Sequence, residues 1–147
     1  MTTTLVRAAA VMAALGAGAA LACECGPPLD FWAGVERATT VVLATVKGTS
    51  ESGGVEVRVD EVFKGGVKPG LVTVGRSKCS VDVSTLKPGS TWVLQLEQQG
   101  GAWVVPMCVV GPVPVDQQVA SIPAGPGPNM PTTKVPLDVL RQRLKKR

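Results

Sequence analysis

Apolar and polar positions divide this 147-residue chain into stretches of different period. An unbroken apolar run from Ala8 to Ala20 follows a single basic residue, Arg7, and ends at small residues flanking Leu21. That layout predicts a secretory signal peptide over 1–22 with an Ala-x-Ala cleavage site, the run being too short to span a membrane comfortably. From Leu29 to Ala38, Leu29, Trp32, Ala33 and Glu36 fall at helical spacing, with Pro28 suited to a first helical position and Asp30 in the first turn. A short amphipathic helix is expected there, seated by Trp32 as core anchor.

Beyond Thr39 the period changes to two. Thr40 to Val46 is β-branched and apolar, and Val55-Glu56-Val57-Arg58-Val59 alternates without fault, which puts the three valines on a buried face. Asp60-Glu61-Val62 breaks the alternation by one residue, as a β-bulge would. Leu71 to Val74, Thr91 to Glu97 and Ala102 to Cys108 supply three more strands, separated by Gly- and Pro-containing turns; Pro106 demotes the end of the last one. The stretch from Ser77 to Leu86 has little period and is expected to be a loop. Five short strands with glycines at their corners and one N-terminal helix predict an all-β fold, a five-stranded barrel of the OB type, with a two-sheet sandwich as the runner-up.

After Val110 the alternation fades. Residues 111–136 hold seven prolines and three glycines and are expected to form an extended arm or linker. A short helix over 137–147, with Leu137, Leu140 and Leu144 on one face and basic residues on the other, is expected to dock on the body, lie on an anionic surface or fray.

Composition narrows the chemistry. There is no His, so Ser-His-Asp or Cys-His catalysis and His ligation of a metal are excluded; neither enzymatic activity, nor a cofactor, nor a metal of its own is expected. The formal charge of +4 is a property of the tail, because Arg141, Arg143, Lys145, Lys146 and Arg147 crowd the end while the body is slightly acidic. Few aromatics on the strands and an export signal argue against a nucleic-acid partner.

Four cysteines behind an export signal predict two disulfides. Cys23 and Cys25 are one residue apart and a bond between them would close a very small ring, so each reaches Cys79 or Cys108, and two connectivities remain. Either closes loops of more than about 50 residues, for which chain entropy gives on the order of 4 kcal/mol per bridge. Cleavage after Ala22 would leave Cys23 as the first residue with a free amine. A lipoprotein would also begin at this cysteine, acylated, although Leu21 stands one place late for that signal.

These residues together carry a resemblance: Cys23-Glu24-Cys25 at the cleaved terminus, the prolines and helix behind it, the strand ending Glu61-Val62-Phe63-Lys64-Gly65, Cys79 in a loop, Lys87-Pro88-Gly89-Ser90-Thr91-Trp92-Val93-Leu94, and the closing Cys108. In that order they resemble the netrin-like module, which includes the N-terminal domain of the tissue inhibitors of metalloproteinases and many small exported bacterial proteins. The resemblance covers 23–110. It implies an OB barrel with Cys23 paired to Cys79 and Cys25 to Cys108. It also implies an inhibitory wedge in which the amine and carbonyl of Cys23 chelate the catalytic zinc of a metallopeptidase, Glu24 enters the neighbouring specificity pocket and Cys25 is the second staple. A non-inhibitory extracytoplasmic interaction module on the same fold is the alternative. In either case the expectation is a secreted or periplasmic monomer, touching a membrane only through an acylated Cys23 or the basic tail. Glu24 departs from the small Thr or Ser that the vertebrate inhibitors carry at that position.

Overall fold

The computed structural model describes residues 23–26, 29–125, 127 and 129–145. The expected signal peptide, Pro27, Pro28 and the last two basic residues lie outside them. Helix α1 (Phe31–Arg37) is followed by β1 (Thr40–Thr49), β2 (Val55–Lys64), β3 (Gly70–Val74), β4 (Thr91–Gln99) and β5 (Ala102–Val104). After these come β6 (Val113–Asp116), β7 (Val119–Pro123), β8 (Thr132–Pro136) and α2 (Leu137–Lys145).

The first five strands run β1-β2-β3-β5-β4 and close through a β1–β4 ladder, every pair antiparallel except β3–β5. The fold is therefore β-rich, with a closed five-stranded barrel of OB order. Its interior is filled mostly by valine: Val55, Val57 and Val59 of β2 point inward, as their alternation requires, against Val42, Val46, Leu94 and Leu96. On β1, Leu43 faces Glu61 and Ala44 faces Val59, so Asp60 is an extra residue in its strand and forms the expected bulge. The bulge keeps Val62 against the barrel interior and turns Glu61 to the same outer side as Leu43. At the end of β2, Gly65 has φ +98°, and a Cβ there would come within 2.4 Å of the Thr40 hydroxyl, so the corner requires glycine.

Helix α1 starts where Asp30 caps it, its carboxylate accepting the Ala33 N–H at 2.7 Å. At the other end Lys64 Nζ donates to the carbonyls of Val35 (3.3 Å) and Glu36 (2.8 Å), satisfying groups that a helix end leaves unpaired. The buried face is Phe31, Gly34 and Val35, which corrects the expected role of Trp32. Phe31 is the anchor; Trp32, about 100° further round the helix, is half-buried and meets Phe31 edge-on, ring centroids 5.2 Å apart.

Residues 111–136 are more regular than an extended arm. They form β6, β7 and β8, which extend the sheet from β4. The prolines sit where the ladders tolerate them. Pro114 precedes the β6–β7 ladder, which starts at Val115, while Pro123 and Pro136 occupy the two end pairs of β7–β8. This addition covers a second core outside the barrel, in which Val113, Ala120, Ile122, Leu137 and Leu140 pack on Phe31, Val35, Val41, Leu43 and Val93.

Of the three fates open to the tail, α2 takes the docked one. Leu137 and Leu140 are buried, Arg141 forms a two-pronged pair with Glu61 (Nε–Oε1 2.9 Å, Nη2–Oε2 2.8 Å), and Arg143 lies 4.0 Å over the Trp32 ring. The hydrogen bond to Glu61 raises the Arg141 pKa further against the opposing effect of burial, and the charges of Glu61 and Asp138 add to the rise. Among the described residues no helix is long and apolar enough to cross a membrane.

Candidate functional site

The site is built from two loops and the residues tied to them. The chain between β3 and β4 carries Cys79, and the turn after β5 carries Cys108. A single antiparallel bridge, Ser80 to Pro106, laces the two loops together, flanked by the hydrogen bonds Val81 N–H to Val105 O (2.8 Å) and Met107 N–H to Cys79 O (3.1 Å). The Cys79 loop is also braced from within. Ser77 Oγ donates to Gln99 Oε1 and accepts the Cys79 N–H, and the Ser80 hydroxyl accepts from Ser77 N–H. Further along, Asp82 accepts from the Ser84 hydroxyl and backbone N–H, and these bonds, with the charge of Arg76, hold its carboxyl below the usual range.

On this platform the structure joins Cys23 to Cys79 (Cα–Cα 5.4 Å) and Cys25 to Cys108 (Cα–Cα 5.2 Å), choosing between the two connectivities that spacing alone left open. No cysteine is free. The Cys23 sulfur lies 3.2 Å from the Lys78 carbonyl oxygen, a contact rather than a hydrogen bond because a disulfide sulfur carries no proton. Cys23 is half-buried, while Glu24, Cys25 and Gly26 are exposed. Two adjacent anchors fix the backbone on either side of Glu24, and its side chain projects from a tip that contributes almost nothing to either core.

Met107 was not singled out in the sequence. At 44% exposure it stands beside Cys108, and with Val81, Val109 and Pro112 it lines a depression of mixed polarity. The signal for it was its place next to Cys108, whose bridge to Cys25 carries Met107 to the tip. The tip can place one carboxylate, a rigid strip of backbone and a soft apolar side chain against a partner; its cysteines, being oxidised, offer no thiolate. Among the described residues no three Cys, His, Asp or Glu side chains gather into a metal-ligand set.

Fold and site together define a disulfide-stapled OB-type barrel with an anchored Cys23–Cys25 tip. No protein-family model, curated protein or solved structure matches this chain. The two disulfides suit an oxidising, extracytoplasmic environment.

Proposed function

We propose that the mature protein is a secreted or periplasmic inhibitor of zinc metallopeptidases, built on a netrin-like module and acting through Cys23, Glu24 and Cys25. The carrying observation is the double anchoring of that tip to two mutually laced loops. While any residue precedes Cys23 its nitrogen is an amide with no lone pair to donate. Cleavage after Ala22 converts it to an amine, and amine and carbonyl of one residue then form a chelating pair. A catalytic zinc keeps one position open for water, and that is where the pair binds. A tip ordered in advance spends little of its binding energy on becoming ordered.

Glu24 restricts the target. Its carboxylate is costly to bury in an apolar specificity pocket unless a cation meets it there, so peptidases with a basic residue in that pocket are the preferred class. The same residue is the specific observation favouring the second function, a non-inhibitory interaction module whose exposed acidic tip binds a basic protein surface.

The test compares protein beginning at Cys23 with protein carrying one extra N-terminal Ala, titrated against zinc endopeptidases with apolar and with basic pockets. Inhibition by the first form and at least a hundredfold weaker inhibition by the second is expected, with Glu24→Thr shifting preference toward apolar pockets. Equal inhibition by the extended form overturns the chelating wedge. Loss in both forms leaves the interaction module, and N-terminal sequencing that finds an acylated Cys23 excludes chelation outright.

A further inference from the structure

Trp32, half-buried at the edge of the outer core, forms one wall of a cleft between α1 and α2. Val35 and Leu144 complete the apolar lining, Lys64, Arg143 and Glu36 supply the charges, and the space measures about 120 Å³. We propose that this cleft binds a small amphipathic carboxylate, an aryl or short alkyl acid, with its apolar body on Trp32, Val35 and Leu144 and its carboxylate held by Arg143 and Lys64.

Size and chemistry both point to that class. A cavity of about 150 Å³ takes up benzene in a well-studied case, so the volume fits a ligand of one ring or a short chain. Arg143 holds its guanidinium carbon 4.0 Å over the Trp32 ring, and the forked N–H groups of a guanidinium match the two oxygens of a carboxylate. Lys64 is immobilised by donating to the Val35 and Glu36 carbonyls, and an ammonium has a third proton to offer. Among the described lining residues the cations Lys64 and Arg143 outnumber the one carboxylate, Glu36, which suits an anionic ligand. The position of α2 is set independently of any ligand by Leu137, Leu140 and the Arg141–Glu61 pair, so the cleft is already formed.

Isotope-labelled mature protein, titrated with benzoate and with hexanoate at constant ionic strength, tests this through the Trp32 indole N–H resonance, assigned by its loss in Trp32→Phe. A saturable shift within about 10 mM is expected, with at least tenfold weaker binding of benzamide and about tenfold weaker binding of benzoate to Arg143→Gln. Arg143 is exposed, so its replacement leaves the fold intact, and Lys64→Gln provides a second variant with the same expectation. Absence of a saturable shift, equal binding of benzamide, or affinity unchanged in both variants overturns the proposal. None of these outcomes depends on whether the tip inhibits a peptidase.

Discussion

The tip and the docked tail hold two distant parts of the chain to the same barrel by opposite means. Cys23 and Cys25 are fixed covalently, and the residues between and after them remain in water. The tail is fixed by burial: Leu137 and Leu140 are 1% and 0% exposed, and Arg141 is paired with Glu61 beside them. A segment held by apolar packing must hide the side chains that hold it. A segment held by disulfides can be both ordered and exposed, which a surface meant for a partner requires.

Breaking the covalent end should have the largest effect. The Cys25–Cys108 bridge closes a loop of 83 residues, for which chain entropy gives about 4 kcal/mol; Cys25→Ser combined with Cys108→Ser should lower unfolding stability in urea by about that amount. The same variant should show faster amide exchange at Glu24 and Gly26, while the barrel strands keep their order of protection. Unchanged exchange at the tip would mean that the remaining Cys23–Cys79 bridge and the loop lacing suffice, and the contrast between the two ends would lose its basis.

Removing packing from the tail comes second. Leu140→Ala takes a side chain from the outer core and should cost about 3 kcal/mol. It should also release Arg143 from Trp32, seen as a change in Trp32 fluorescence below the main urea transition. A loss under about 1 kcal/mol would show that the tail merely rests on the surface.

How much of this was legible in the sequence depends on how each core is encoded. The inner core follows a two-residue alternation in Val55, Val57 and Val59, and the break at Asp60 marked the bulge correctly. The outer core is assembled from pieces too short to show a period. Val113 and Val115 are separated by a proline, and Ala120 and Ile122 lie on a five-residue strand, so the prolines around them read as a linker. In α1 the helical spacing of Leu29, Trp32, Ala33 and Glu36 is out of phase with the face that is buried, Phe31, Gly34 and Val35. At β5 the strand stops at Val104, since Val105 already bonds to Val81 in the neighbouring loop, and nothing local in the sequence indicates that partner. The tip was visible as a pair of closely spaced cysteines, and Met107 joins it through the Cys25–Cys108 bridge of its neighbour, a pairing that spacing alone left open.

The smallest expected effect concerns the bulge, which connects the barrel to the seat of the tail by turning Glu61 toward Arg141. Burial pushes the Asp60 carboxyl up, but hydrogen bonds from Thr45 and Arg58, with the charges of Arg58 and Lys47, outweigh it and hold the group below its ordinary 3.8. A carboxyl depressed in the folded state adds stability in full above about pH 3.8, and that stability is lost as pH falls through the folded value. Arg58 and Arg141 stay protonated throughout, so the change comes from the acid. Asp60→Asn should therefore be less stable than the parent by under about 1 kcal/mol at neutral pH, as expected for a partly exposed pair. The gap in urea midpoint should narrow when both proteins are compared near pH 3, where the parent's carboxylate is itself becoming neutral. A gap that stays constant across that range would assign the bulge to backbone pairing and Val62 packing, leaving the Asp60 charge without a part in seating the tail.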